Sequence, residues 1–107
     1  FLVRNGASAG SRLHTPAPPV GAFDDAEYAA VEVAFEPGSR LYVFSDGVFE
    51  EPGSDGRPLG LDRFEAIVAG PAGDPAKEPA RIERAVREAA ANPRFQDDFS
   101  LLVTTTI

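Results

Sequence analysis

The stretch Arg40-Leu-Tyr-Val-Phe-Ser-Asp46-Gly47-Val48 decides how this chain should fold. Its aromatic and aliphatic run has the length of one buried strand, and Asp46 follows the run after a single serine. A second apolar, β-branched run, residues 99–107, follows Asp97 and Asp98 directly. Because a strand holds the residue at its end in a fixed place, we expect these two acidic strand ends to meet and to bind a cation.

Four strands are predicted before the first helix. Residues 1–3 and 12–14 form one predicted hairpin, with Asn5-Gly6 in the connection. Residues 28–35 alternate in part between apolar and acidic side chains, and a Pro-Gly turn joins them to the run at 41–44 as a second hairpin. No helix separates these strands, which favours an antiparallel sheet over a parallel one.

Two helices are predicted in the second half of the chain. Apolar residues recur at helical spacing between 61 and 68, and again from about 79 to 91. The buried stripe of the second helix is predicted to contain Ile82, Ala85, Val86 and Ala89. Glu83 and Arg87 stand four residues apart on its exposed side. The predicted fold class is therefore α+β, with an antiparallel sheet and flanking helices.

Composition excludes several classes of function. The 107 residues include no cysteine, so a disulfide framework and a thiolate zinc site are excluded for this sequence. The net charge of −7 argues against nucleic acid and an anionic membrane as partners. No apolar run approaches the roughly 20 residues that cross a bilayer, so we expect a cytoplasmic location. The chain contains no methionine and opens on a predicted strand, which favours a segment of a longer domain.

Each of the two acidic strand ends has two interpretations. Asp46-Gly47 places a carboxylate at a strand end, where an oxygen ligand suits Mg²⁺ or Mn²⁺, and the glycine would let the chain turn sharply. The alternative is a plain turn, as we interpret Asp55-Gly56, which no strand precedes. Asp97 and Asp98 repel each other unless a cation or hydrogen-bond donors hold them, and the alternative is a solvated loop end or a contact with Arg94.

The order of these motifs resembles the C-terminal part of SpoIIE-like and RsbU-like serine/threonine phosphatase domains, which belong to the metal-dependent PPM family. The stretch Leu41-Tyr-Val-Phe-Ser-Asp-Gly-Val-Phe-Glu50 is similar to the family's LLLYTDGVTE strand and turn. Pro18-Pro-Val-Gly21 resembles its PPLG loop, and Asp97-Asp-Phe-Ser-Leu-Leu-Val103 resembles its closing DD(I/A)TLLV strand. The resemblance spans nearly the whole chain, and residues 1–107 are predicted to be the C-terminal part of a single domain.

The resemblance implies an antiparallel β-sandwich flanked by helices, with a two-metal centre of Mn²⁺ or Mg²⁺. It implies that Asp46 and Asp97 are metal ligands, that Asp98 supports them, and that Gly47 lets the chain pass close to the site. The implied reaction is attack by metal-activated water on phosphoserine or phosphothreonine. The implied partner is a phosphorylated bacterial regulatory protein, such as an anti-sigma-factor antagonist.

The sequence also departs from the family pattern. Phe49 stands where the family commonly has threonine, and the family's N-terminal metal-binding motifs, of the GGDYYD and DVxGHG kinds, have no counterpart in these residues. We therefore expect this segment alone to be inactive and to depend on residues outside it for the remaining ligands. The alternative function is a non-catalytic, phosphatase-like binding module. An uncovered sheet face would favour aggregation, dimerisation or pairing with the missing half of the domain.

Other polar residues are interpreted as structural. We predict that His14 is structural or exposed and has no ligand partner, and that Glu50 and Glu51 lie in a solvated turn. The arginines of the second predicted helix are expected on its wet face. They are Arg81, Arg84 and Arg87.

Overall fold

The structure is a computed structural model that describes residues 1–18, 20–53, 55–70, 73–91 and 98–105. Within these residues lie a three-stranded sheet and two α-helices. The strands are β1 (Leu2–Val3), β2 (Arg40–Phe44) and β3 (Leu101–Thr105). The helices are α1 (Leu61–Val68) and α2 (Glu78–Ala89), and short 3₁₀ helices occupy Asp46–Val48 and Pro75–Lys77.

The sheet is antiparallel, with β2 between β1 and β3. Leu41 of β2 lies opposite both Leu2 and Thr104, and Val43 lies opposite Leu102. The last pair of the β2–β3 ladder joins Phe44 to Leu101, so the end of β2 meets the beginning of β3. The antiparallel α+β class predicted from the sequence is confirmed, while a complete two-sheet sandwich stays a prediction.

Both helices pack against one face of the sheet. Tyr42 of β2 is buried in a core with Phe64 of α1 and Ile82 of α2, and the Phe44 and Phe64 ring centroids are 4.7 Å apart. Full burial of such side chains contributes about 1.5–3 kcal/mol each. The observed helix limits agree with the predicted ones to within two residues. They agree because the apolar residues that recur at helical spacing in the sequence lie on the side of each helix that faces the core.

The opposite face of the sheet is largely uncovered. Val43 is 54% exposed and Leu102 is 60% exposed, although both lie in strands that read as buried. The prediction that the 41–44 run is a buried strand is thus correct for the Tyr42 face and wrong for the Val43 face. Successive strand residues point to opposite sides, and the helices cover only one of them.

The first predicted hairpin is reduced to a single bridge. The backbone N–H of Leu2 donates to the Ser11 carbonyl at 2.8 Å, and the N–H of Ser11 donates back at 2.8 Å. Residues 12–14 continue in an irregular conformation. The side chain of Arg12 instead reaches α1, where its guanidinium pairs with Glu65 at 2.5 Å and with Asp62 at 3.2 Å.

The predicted strand at residues 28–35 is wrong, because these residues are irregular throughout. The sheet explains the difference: β3 pairs with all five residues of β2 along one edge, and β1 pairs with Arg40 and Leu41 on the other edge, next to the turn where the predicted hairpin would begin. The Pro37-Gly38 turn does form, with the Ser39 N–H donating to the Glu36 carbonyl at 3.0 Å. Local sequence therefore specified the turn but not the pairing.

Among the described residues, no helix is long and apolar enough to cross a membrane.

Candidate metal centre at the end of the central strand

Asp46 lies at the point where β2 ends and a 3₁₀ helix begins. The residue is exposed, while its backbone carbonyl accepts hydrogen bonds from the N–H groups of Phe49 and Glu50, both at 3.1 Å. The N–H of Val48 donates to the Ser45 carbonyl at 3.3 Å. The backbone that carries Asp46 is therefore fixed, and the residue remains accessible from solvent.

Gly47 is buried within this 3₁₀ helix, next to the buried Val48. The described glycines with left-handed backbone lie elsewhere, at residues 6, 21, 38, 56 and 60. The chain does turn sharply at Gly47, as predicted, but it does so in a 3₁₀ helix, whose negative φ any residue can adopt. Its predicted role of letting the chain pass close to a bound group stays a prediction.

The beginning of β3 is hydrogen-bonded to the residue before Asp46. The N–H of Ser45 donates to the Ser100 carbonyl at 3.1 Å, and the N–H of Ser100 donates to the Ser45 hydroxyl at 3.3 Å. Asp98, which is exposed, precedes Ser100 by two residues, and Asp97 lies outside the described residues. The structure thus joins the two strand ends, and the assignment of Asp97 and Asp98 to a metal site stays a prediction.

The oxygen atoms at the end of β2 are of the type that a hard cation prefers, but the described ones are too few to form a complete ligand set. A carboxylate such as that of Asp46 is a ligand that Mn²⁺ and Mg²⁺ prefer. Across residues 1–18, 20–53, 55–70, 73–91 and 98–105, no group of three or more His, Cys, Asp or Glu side chains is arranged to hold a metal ion. Asp46 could supply one ligand of such a centre, and a complete ligand set would need residues outside the described ones.

A cavity of about 560 Å³ adjoins Asp46. Its lining includes His14, Phe44 and Phe49, so the exposed His14 lies near Asp46 although the sequence showed no partner for it. Phe49 is partly buried, and its ring packs edge-on against Phe44 with centroids 6.3 Å apart. The ring that replaces the family's hydroxyl therefore contributes to core packing beside the cavity.

Glu50 and Glu51, which follow Asp46 closely, have different environments. Glu50 is exposed, as predicted for a solvated turn, but Glu51 is only 3% exposed, so that prediction is wrong for Glu51. The loop after it folds back on itself, with the Leu59 N–H donating to the Glu51 carbonyl at 2.8 Å and the Gly53 N–H donating to the Arg57 carbonyl at 2.7 Å. This closure buries a position that local polarity assigned to solvent.

A buried ionic network holds the middle of β2 to both helices. Glu78, the first residue of α2, is 1% exposed and accepts a hydrogen bond from the Tyr42 hydroxyl at 3.0 Å. Its carboxylate pairs with Arg81 and, at 3.5 Å, with Arg40. Arg81 also donates to the carbonyls of Ile67 and Val68 at the end of α1, at 3.0 and 3.1 Å.

The network shifts the pKa of three of its members, and the hydrogen bond to Glu78 raises the pKa of Arg81. Burial alone would raise the pKa of the Glu78 carboxyl, but hydrogen bonds from Arg81 and Tyr42 and the positive charges of Arg81 and Arg40 bring it below the ordinary value. Burial, followed by the hydrogen bond to Glu78, raises the pKa of Tyr42 to about 12. Glu78 is therefore ionised and Tyr42 is protonated near neutral pH.

Sequence reasoning missed this network and placed Arg81 on the wet face of α2. That prediction holds for Arg84, which is exposed, and for Arg87, which pairs with Glu83 at 2.8 Å. A signal was present: Glu78 precedes the buried Ile82 by four residues, so it continues the buried stripe by one turn. Arg81 at i+3 is then the nearest cation that can neutralise it.

Comparison with known protein families identifies a match over the whole chain. The family model described as Stage II sporulation protein E (SpoIIE) matches residues 1–107. Comparisons with curated proteins and with solved structures gave no match.

Proposed function

Since this chain belongs to the SpoIIE family, a family of phosphatase-related domains, we propose that it supplies the Asp46 end of a metal-dependent protein phosphatase. The substrate class is phosphoserine or phosphothreonine in a bacterial regulatory protein of the anti-sigma-factor-antagonist kind. The family membership supports the reaction class. The residue assignments rest on the local geometry of Asp46 and on motif order.

The observation that carries the proposal is the pair of hydrogen bonds between Ser45 and Ser100. They bring the end of β2 beside the beginning of β3, and in the sequence Asp46 follows the first of these ends while Asp97 and Asp98 precede the second. Asp46 is presented there on a backbone held by two further hydrogen bonds to its carbonyl. A ligand that is fixed before the metal binds loses little conformational entropy on binding, which favours affinity and geometry.

The proposed roles follow from the chemistry of each group. Mn²⁺ or Mg²⁺, when bound, supplies charge neutralisation for the phosphate and a lowered pKa for a coordinated water. Asp46 and Asp97 would contribute oxygen ligands, and Asp98 would support Asp97. Ser45 holds the two strand ends together through its hydroxyl, which accepts from Ser100. The remaining ligands would come from residues beyond this segment.

The test compares two aspartates that both precede glycine. Turnover of a phosphoserine peptide is measured in the full-length protein with Mn²⁺, for the wild type, Asp46→Asn and Asp55→Asn. We expect Asp46→Asn to lower kcat at least about a hundredfold, since loss of metal-site groups has effects of this order. Asp55→Asn should leave turnover unchanged, because Asp55 only accepts a turn hydrogen bond from the Arg57 N–H at 3.1 Å and an asparagine oxygen can replace it. Equal turnover in all three proteins would remove Asp46 from the site.

A second candidate is a phosphatase-like binding module without turnover. It is favoured by the small donor set, because the described part of the chain holds no group of three potential metal ligands. Mn²⁺ titration of the full-length protein by calorimetry separates the candidates. The phosphatase requires metal binding that Asp46→Asn weakens, whereas the module requires partner binding that is the same with and without metal.

A further inference from the structure

The chain that follows the Asp46 turn runs outward and returns beside itself. Three backbone hydrogen bonds, of 2.7, 2.8 and 2.9 Å, pair residues 49–53 with residues 57–60. They join Gly53 to Arg57, Leu59 to Glu51, and Gly60 to Phe49. We call residues 49–53 and 55–60 the arm. Because the bonds are repeated along the two stretches, each stretch restricts the other.

The base of the arm is fixed to the turn that carries Asp46. Phe49 donates its N–H to the Asp46 carbonyl at 3.1 Å, and its own carbonyl accepts from the Gly60 N–H at 2.9 Å. The Phe49 ring packs against Phe44 of β2, and Leu59 on the returning side is buried in the core. The arm and the Asp46 turn therefore move together, because a shift of one breaks hydrogen bonds or core contacts of the other.

The outer part of the arm is fixed to the end of α2. The Ala91 N–H donates to the Pro52 carbonyl at 2.8 Å, and Gly53 pairs with Ala90 as an isolated antiparallel bridge. Gly53 is buried, and a Cβ added there would lie 3.7 Å from the Ala89 carbonyl oxygen. The two backbones thus lie in direct contact, with no side chain of Gly53 between them. We call the hydrogen bond from Ala91 to Pro52 the clasp.

The clasp and the bonds between the strand ends lie on opposite sides of Asp98 in the sequence. Ala91 precedes Asp98 by seven residues, and Ser100 follows it by two. Ala91 is held by Pro52, and Ser100 is held by the residue before Asp46. The chain on both sides of Asp98 is therefore joined to residues that flank Asp46. A segment fixed at two points has already lost conformational entropy that a ligand would otherwise have to remove.

We propose that the clasp positions the stretch that contains Asp98 against the Asp46 turn, so that the end of α2 contributes to the cation affinity of the candidate metal centre. The metal part of this inference rests on the proposed function. The acting group is the Ala91 N–H, which does not bind metal itself but holds the backbone between the two strand ends. A bond that only stabilised α2 would lower stability without a selective loss of metal affinity.

Three variants separate positioning from stability. Ala91→Pro removes the N–H of the clasp, and Ala90 already has the extended backbone (φ −78°, ψ 146°) that a residue before proline adopts. Ala91→Ser is the matched control, because it keeps the N–H at the same exposed position. Ile82→Val is the stability control, because loss of one methyl group from the core destabilises about as much as loss of one hydrogen bond.

The first measurement is amide hydrogen exchange of the full-length protein in metal-free buffer. It follows Phe49 and Glu50, whose N–H groups donate to the Asp46 carbonyl. We expect Ala91→Pro to speed exchange at both amides about tenfold relative to Ala91→Ser, because local opening is governed by local hydrogen bonds. Exchange in the middle of α2 should change much less.

The second measurement is the Kd of Mn²⁺ for the full-length protein, obtained by calorimetry. We expect Ala91→Pro to raise Kd about tenfold, at the lower end of the effects of groups that orient metal ligands. Ala91→Ser and Ile82→Val should leave Kd within about twofold of the wild type, since neither removes the clasp. Asp46→Asn is measured alongside, because it tests the proposed function directly.

Equal Kd for Ala91→Pro and Ala91→Ser, with weaker binding by Asp46→Asn, would overturn the inference and leave the proposed function standing. An equal rise of Kd in Ile82→Val would also overturn it, because affinity would then follow stability. If Asp46→Asn keeps the wild-type Kd, the proposed function fails and amide exchange decides on the clasp. Faster exchange at Phe49 and Glu50 in Ala91→Pro then supports the positioning of the turn, and unchanged exchange contradicts it.

A second way to remove the clasp serves if Ala91→Pro does not give the wild-type circular dichroism spectrum. An ester in place of the amide between Ala90 and Ala91 removes the same N–H, keeps the methyl side chain and adds no ring. The ester should reproduce both the faster exchange and the higher Kd. Wild-type values of both quantities in the ester variant would contradict the proposal.

Discussion

Two carboxylates near β2 lie in opposite environments. Glu78 is buried against Tyr42 in the middle of the strand, with two arginines and a hydroxyl around its oxygens. Asp46, two residues beyond the end of the same strand, is exposed, and what is fixed there is its backbone. The first arrangement uses charge to hold elements together. The second presents charge to solvent, as a ligand-binding residue requires.

The largest expected effect is the loss of stability when the buried carboxylate of Glu78 is removed. Glu78→Ala should lower the free energy of unfolding by about 3–5 kcal/mol, because it leaves the partly buried Arg81 and the buried Tyr42 hydroxyl without their acceptor. Glu88→Ala, an exposed glutamate in the same helix, should change it by less than about 0.5 kcal/mol. Urea unfolding of both variants provides the measurement, and similar values for the two would show that the network adds no stability.

The pH dependence of stability should follow Glu78. Its pKa in the folded state lies below the ordinary value of 4.5, so the unfolded state takes up the proton first as pH falls. The stabilisation is fully present above pH 4.5 and is lost as pH decreases through the lower, folded-state pKa. In Glu78→Gln the decline of unfolding free energy below that pH should be shallower. Parallel curves for wild type and variant would contradict the pKa direction.

The link between the strand ends should have a smaller effect. Ser45→Ala removes the acceptor for the Ser100 N–H, which should cost about 0.5–1.5 kcal/mol and speed hydrogen exchange at the Ser100 amide. Ser45→Thr keeps the hydroxyl and should retain slow exchange. If alanine and threonine give the same exchange rate, the hydroxyl does not hold β3 to β2.

The smallest expected effect concerns the exposed pair on α2. Arg87→Gln removes the ion pair with Glu83 and should lower the free energy of unfolding by about 0.3–0.5 kcal/mol. This loss should be smaller in high salt, because salt screens an exposed ion pair. The same measurement on Arg81→Gln should give a loss several times larger, because Arg81 joins Glu78 to the end of α1. Equal losses would mean that burial does not distinguish the two arginines.

The helices and the antiparallel sheet could be predicted because their signals are local. The apolar spacing of residues 61–68 and the stripe containing Ile82 and Val86 report burial within a few residues of sequence. The strand at 28–35 could not be excluded in this way, because its alternation is real and the pairing of β1 with Arg40 and Leu41 is a contact between distant parts of the chain. Glu51 was misplaced for a similar reason, since the loop that follows it folds back and the end of α2 contacts it, with the Ala91 N–H donating to the Pro52 carbonyl at 2.8 Å.

The candidate site likewise has a part that the sequence predicted and a part that only the structure shows. Motif order predicted a likeness to a metal-dependent phosphatase family, which the SpoIIE family match over residues 1–107 confirms. The assignment of Asp46 and Asp97 as metal ligands stays a prediction. The contact that joins the strand ends, from Ser100 to the Ser45 hydroxyl, appears only once β3 pairs with β2.

By itself, the sequence determined which residues form helices, which run forms the central strand, and which acidic residue follows it, because periodicity and turn chemistry act over a few residues. Only the tertiary structure decided which carboxylates are buried, which strand edges are free, and which sheet face stays uncovered. Those outcomes depend on contacts between residues far apart in the chain, such as Tyr42 with Glu78. The local pattern can place Glu78 on the buried stripe of α2, but it does not give the residues that contact it.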